Sequence, residues 1–518
     1  MNVVMVVSMI LCAAIGAWGV VDPDAMTNAA QGLVNYSLGA LDWFFLLLCT
    51  FFVVFMAAMA FSKYGNIKLG TDDEDPEFST GSWIAMLFAA GMGSGLLFWG
   101  VAEPIYHFSD PPGIVGKTPE AARQAFVITN IHWGLHAWSI YGCCALVIAY
   151  FTFRLNLPSM ISTPIKVAFK NVFSKSVLKG TGATADILAV IAVIFGLAGS
   201  LAMGTLMVRS GLSSVFGTDN SSNTISFAIL GVMTVCFLLS ACTGVDKGIK
   251  ILSNINMIIA ICVLLVVLFG GPTAYLLQVF VYSIGDYLIQ FIPMSFKTYS
   301  FQPAASWNWF HGWTLTYLIW WLAWGPFVGI FIARISRGRT IREFVIFVVG
   351  VPTIVSMLWF AAFGGSAIHI EMFGGGGLSE KVFSDVSAAL FAFFEYFPAT
   401  GMLNFLSVCL IFIFLVTSAD SGTFVISMMT SNGNLNPATK TKLIWGVIIA
   451  AITVATLATG SVSVAKAMAI TGAIPFTFII ILQMAGFVRI VREDPLVRTR
   501  HTIVRAAGDD ERADSARA

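Results

Sequence analysis

Trp43 to Phe61 reads WFFLLLCTFFVVFMAAMAF, a run without a single charge that stops at Ser62 and Lys63. A bilayer core about 30 Å thick needs roughly 20 apolar residues per helix, so this run is long enough to cross one. Outward from it, stretches of the same kind recur between Val3 and Met484, separated by short polar breaks. Of 518 residues, 58% are hydrophobic and 11% charged, against roughly 25% charged in an average soluble domain. Lipid is therefore the solvent for most of the chain, and the fold class is an all-α polytopic membrane protein. Twelve spans are expected, centred near Met9, Phe52, Gly93, Ala137, Ile194, Val232, Ile261, Ala323, Pro352, Val416, Ile449 and Ile479. Two further apolar stretches, 274–291 and 382–397, contain Asp286, Asp385 and Glu395. They read either as interfacial or re-entrant helices or as additional spans.

Basic residues orient the chain, because cytoplasmic loops carry an excess of Lys and Arg. With both termini cytoplasmic, the inner segments gather Lys63, Lys68, the group from Arg154 to Lys179, Lys247, Lys250, the group from Arg334 to Arg342, Lys440, Lys442 and every Arg beyond Val488. The outer side keeps Lys117, Arg123, Arg209, Lys297, Lys381 and Lys466. A bacterial inner membrane is the expected location. The first apolar stretch lacks a basic leader and is followed at once by more spans, so a retained helix is expected rather than a signal peptide. The 8 cysteines sit within or beside the spans with no Cys-x-x-Cys, which suggests neither a disulfide nor a metal framework. Residues 489–518 mix Arg with Asp and Glu, a composition that favours a disordered or surface-associated tail.

Three places depart from a plain apolar helix. Gly91, Gly93 and Gly95 alternate in the third span, each costing about 1 kcal/mol of helix stability relative to Ala. Such a stretch unwinds and offers carbonyls to a cation and amides to a carboxylate, or it supplies a Gly-x-x-x-Gly packing face through Gly91 and Gly95. In the fourth span, His132-Trp133-Gly134-Leu135-His136-Ala137-Trp138-Ser139-Ile140-Tyr141 places Trp133, Tyr141 and Trp138 at about 0°, 80° and 140° of a continuous helix. In the eighth, Trp320 and Trp324 share a face that Trp321 flanks. Such rings either box a quaternary ammonium through cation-π contacts or fill helix interfaces as bulk.

His132 and His136 have no adjacent Glu and no obvious third ligand, so they are expected to be satisfied packing histidines rather than a zinc pair. The third departure is Thr417-Ser418-Ala419-Asp420-Ser421 in the tenth span, with Asp420 read as the only acid deep in a span. Its hydroxyls are hard ligands for sodium, or they bond back to their own helix. Intramembrane aspartyl chemistry needs two close carboxylates, and the sequence offers no convincing second acid to pair with Asp420 in that role. No enzyme, cofactor or nucleic-acid partner is expected.

The glycine run, the Trp133–Tyr141 segment, Trp320-Trp321-Leu322-Ala323-Trp324-Gly325-Pro326-Phe327-Val328-Gly329, Ala333-Arg334-Ile335-Ser336-Arg337-Gly338-Arg339 and Thr417-Ser418-Ala419-Asp420-Ser421-Gly422 together closely resemble the betaine/choline/carnitine transporter family. The resemblance runs from the first residues to the final span. It implies two accessory helices in 1–82, a core of two inverted five-helix repeats in 83–488, a cytoplasmic tail in 489–518, and a homotrimer in lipid. Trp133, Trp138, Tyr141 and Trp321 would form a central cage, Trp320 and Trp324 would line the path or gate, and the Gly91, Gly93 and Gly95 backbone would approach the substrate carboxylate. Carbonyls of Ala89, Met92 and Phe414 and hydroxyls of Thr417 and Ser418 would hold one sodium.

Proton-coupled choline carriers tend to carry Asp at the position of Gly95. Sodium-independent exchangers tend to carry Tyr and Met at those of Trp324 and Val328. The resemblance therefore implies sodium symport of glycine betaine or a near analogue. Exchange of carnitine-type compounds and carriage of choline, dimethylsulfoniopropionate or trimethylamine N-oxide are the alternatives. Val193 and Leu197 stand where sodium-coupled relatives carry threonines of a second ion site, which implies one sodium or an unusual second site.

Overall fold

The computed structural model describes residues 2–91, 93–243 and 246–496, with backbone alone for 88–91, 243 and 246–252. Short polar residues start the helices. The side chain of Asn2 accepts from the Met5 amide to open α1 (Val3–Val21), and Asp22 accepts from Ala25 to open α2 (Pro23–Phe61). There follow α3 (Thr80–Gly91), α4 (Ser94–Ser109), α5 (Pro119–Trp133), α6 (Leu135–Ala149), α7 (Thr163–Ala168), α8 (Lys175–Phe216), α9 (Asn223–Thr243) and α10 (Asp246–Gly270). The remainder comprises α11 (Thr273–Ser295), α12 (Ala304–Phe310), α13 (Thr316–Ile335), α14 (Ile341–Val345), α15 (Val351–Phe373), α16 (Leu378–Ser384), α17 (Ala389–Phe394), α18 (Thr400–Met429), α19 (Thr439–Leu457) and α20 (Val462–Val491). Helix α8 packs along α20 and α18, α13 lies along α6, and α4 lies along α15. Helices α1 and α2 wrap the outside, against α19 and against α6 and α20.

Twelve helical segments among the described residues are long and apolar enough to cross a membrane. Their membership differs from the sequence reading in two ways. The third stretch is not one helix but two halves, α3 and α4, each short of a full span. Thr273–Ser295 is a continuous helix of 23 residues and qualifies by length and composition. Its acid does not float in lipid, because Asp286 takes a bidentate pair from Arg123 at 3.0 and 3.1 Å. The other acidic stretch, 382–397, breaks into the end of α16, a 3₁₀ turn at Val386–Ala388 and α17, and is no span.

Loops on the side assigned to the cytoplasm are tied together. Leu69 and Gly338 exchange backbone bonds with the Arg339 and Leu69 carbonyls at 2.8 Å. The Arg154 guanidinium reaches Asp494 at 3.0 and 3.1 Å, the Gly70 carbonyl at 3.1 Å, and Asp72. Residues 497–518, most of the expected tail, lie outside the described residues.

Gly338 has φ of +80°, and a Cβ there would collide with the Asp75 carbonyl. Gly338→Ala is expected to destabilise this loop pair by more than about 1 kcal/mol. The expected readout is a lower midpoint of thermal unfolding in detergent, followed by fluorescence-detected gel filtration.

Candidate functional site

A helix break organises the centre. At Gly134, φ −95° and ψ −134° end α5 and start α6, so Trp133 does not share a continuous helix with Trp138 and Tyr141. Two observations explain the glycine. A Cβ would press on the Asn130 carbonyl and lie 2.9 Å from the Tyr287 hydroxyl, and that hydroxyl accepts from the Leu135 amide at 3.1 Å. Helix α11, which carries Tyr287, thus supports the break. The His132 carbonyl, at the end of α5, accepts the Trp321 indole N–H at 2.7 Å. This bond pins α13 to α5.

Rings from the two sides of the break meet those of α13 at right angles. Trp133 and Trp321 have centroids 4.9 Å apart at 78°. Tyr141 and Trp321 stand 5.6 Å apart at 86°, and Trp138 and Tyr141 5.8 Å apart at 81°. The four residues expected to form a cage are therefore one linked set of near-perpendicular walls. Trp320 joins through Tyr317, at 6.1 Å. Trp324 does not join: it faces α8, its indole 3.4 Å from where a Cβ on Gly196 would stand, and it contacts Phe327 at 5.5 Å.

A buried acid holds Trp133. Glu103 on α4 has no solvent exposure. Its Oε2 accepts from the Trp133 indole at 2.7 Å, and its Oε1 lies 2.6 Å from His132 Nδ1 and 3.4 Å from His107 Nε2. His132 Nε2 meets the Thr314 hydroxyl at 2.9 Å. Glu103 corrects two sequence expectations: Asp420 is not the only acid deep in a span, and His132 does have a glutamate neighbour, one supplied by another helix. His132 is thus a satisfied histidine as expected, whereas His136 is not: neither of its ring nitrogens has a hydrogen-bond partner among the described residues. The donor atoms of Glu103, His107 and His132 lie within 4.8 Å of one another. Two ligands of one zinc would stand about 3.3 Å apart at tetrahedral geometry, so the direct 2.6 Å contact is that of a hydrogen-bonded clamp.

The glycine run is unwound between α3 and α4. Gly91 is the last residue of α3, and Gly93 is extended at φ −90° and ψ −165° before α4. A Cβ on Gly93 would meet open space, whereas one on Gly95 would stand 3.1 Å from the Trp133 ring. Gly95 thus gives Trp133 room. Of the expected sodium ligands, Met92 lies outside the described residues and Ala89 is described only as helical backbone. Phe414, Thr417 and Ser418 lie on the unbroken α18. The Thr417 hydroxyl donates to the Ile413 carbonyl at 2.9 Å and lies 3.1 Å from that of Phe414. Val193 and Leu197 are buried.

Residues 3–496 match the sequence profile of the family described as BCCT, betaine/carnitine/choline family transporter. The chain belongs to this family. It is a multi-pass membrane transporter and not an enzyme. The ectoine/hydroxyectoine transporter of Virgibacillus pantothenticus is 42% identical over 472 residues, 90% of this chain and 92% of that one. Glycine betaine transporter OpuD of Bacillus subtilis (strain 168) is 42% identical over 478 residues, covering 92% and 91%. The high-affinity choline transport protein of Escherichia coli (strain K12) is 36% identical over 476 residues, covering 91% and 69%.

Sequence reasoning passed over Glu103, Tyr287, Thr314 and Tyr317. Glu103 had a readable signal, an acid with no nearby charge in the apolar run that follows the glycine break. Glu103→Ala removes the acceptor for both Trp133 and His132. Losing a buried charge-assisted bond costs about 1.5–3 kcal/mol, so substrate binding is expected to weaken roughly 10- to 100-fold while the protein still elutes as a single folded peak. Tryptophan-fluorescence titration measures it.

Proposed function

We propose that this BCCT transporter imports glycine betaine, or a closely related zwitterionic methylated ammonium, by sodium symport with alternating access. The observation that carries the reading is the set of perpendicular indole and phenol walls from Trp133, Trp321, Tyr141 and Trp138. A quaternary ammonium spreads its charge over methyl groups and needs no hydrogen-bond acceptor, so ring faces can replace its hydration at about 0.5–2 kcal/mol each. The carboxylate end would turn to the unwound backbone around Gly93, where open space adjoins the start of α4. The relative named for glycine betaine supports this cargo. Ectoine is a second reading, supported by the equally similar relative named for ectoine and hydroxyectoine.

Sodium coupling rests on the hydroxyl motif and on Gly95 in place of an acid. The Thr417 hydroxyl gives its proton to its own helix, and its oxygen keeps lone pairs for an ion. Phe414, Ser418 and the backbone at Ala89 and Met92 would complete the shell. Val193 and Leu197 offer no oxygen beyond the backbone, so one sodium per cycle is the stoichiometry proposed. The transporter would sit in the inner membrane with both termini cytoplasmic and work as a trimer.

Purified protein in proteoliposomes is expected to accumulate labelled glycine betaine when sodium is outside and potassium inside. Equal uptake without the sodium gradient contradicts symport, and uptake only into substrate-loaded vesicles points to exchange. Trp321→Ala is expected to weaken binding at least tenfold, because it removes the wall shared by Trp133 and Tyr141.

A further inference from the structure

Lys466 stands in the second turn of α20, within an apolar stretch that carries no other charge before Arg489. It is half-buried there, and its ammonium is set among aromatic rings. Its Nζ lies 4.2 Å from the ring centroid of Trp99, 4.5 Å from that of Trp313 and 5.8 Å from that of Tyr317. These rings are walls of one box. Trp99 meets Trp313 at 5.7 Å and 79° and Tyr317 at 5.9 Å and 71°, while Trp313 and Tyr317 lie 6.2 Å apart at 14°. Three ring faces around one cation is the arrangement that holds quaternary ammonium ligands. Glu103 is the negative charge that acts on this ammonium. Tyr317 is also part of the cargo site, 5.8 Å from Trp133 and 6.5 Å from Trp321.

We propose that Lys466 is a tethered cation filling a second aromatic box beside the cargo cage, and that it determines the cargo charge the transporter accepts. The inference rests on reading the cage as a methylated-ammonium site. A zwitterion brings its own carboxylate and tolerates the neighbouring lysine. An ammonium without a carboxylate meets a box already filled and a like charge one ring away. With Lys466 neutralised, the like charge is gone and Glu103 remains as the acid beside the rings, which favours such a cation.

The test measures binding of labelled glycine betaine and labelled choline to the full-length protein, as wild type, Lys466→Gln, Lys466→Met and Lys466→Arg. Wild type is expected to bind choline at least tenfold more weakly than betaine. Gln and Met are expected to shift that ratio toward choline by at least tenfold, and Arg to preserve it. A wild type that binds choline as tightly as betaine overturns the proposal without any variant. So does a wild-type ratio in whichever neutral variant folds. A wild type that binds neither solute overturns the carrier reading, and this inference with it.

Discussion

The centre of the structure depends on one carboxylate. Glu103 is fully buried, and a buried ion is tolerated only when its lone pairs are taken up by good donors. Here the Trp133 indole and the His132 ring take them, and Thr314 fixes the far side of His132. These bonds lock α4, α5 and the turn just before α13 to one another. They also decide where the Trp133 ring can point, and Trp321 follows because its own N–H is held by the His132 carbonyl. Two walls of the cage are therefore set by hydrogen bonds at their indole nitrogens. The rings themselves pack against other aromatics, Trp133 against Tyr317 and Phe360 and Trp321 against Tyr141.

The helix breaks are the second constraint. A continuous fourth span would keep the His132 carbonyl in its own ladder and leave Trp321 without this acceptor. The non-helical backbone at Gly134, supported by Tyr287 from α11, releases it. The extended Gly93 acts alike between α3 and α4, where Gly95 lets Trp133 approach. In lipid, irregular backbone is tolerated where protein or a cavity covers it; Tyr287 stands against the break at Gly134, and Trp133 stands beside Gly95 just after the other.

Much of this was legible in the sequence. Apolar runs of span length showed the helical membrane fold, and the tryptophans of the fourth and eighth spans marked rings that the structure brings into contact. What stayed hidden depended on pairing between distant segments. Periodicity places Trp133 on a helix face, but it does not show that Gly134 interrupts that helix, because a lone glycine is compatible with either outcome. Asp286 made 274–291 look interfacial, since its partner Arg123 lies far away in the chain. Glu103 drew no notice, and Lys466 read only as an outer-side charge, for a similar reason: the groups around them come from other helices.

The central claim is that ring faces bind the cargo through its positive charge. Calorimetric titration with glycine betaine and with 3,3-dimethylbutanoate, which has the same shape and carboxylate but a neutral quaternary carbon, tests it directly. Three or more ring faces at about 0.5–2 kcal/mol each predict that the neutral analogue binds at least tenfold more weakly. Equal affinity for the two compounds would contradict the account.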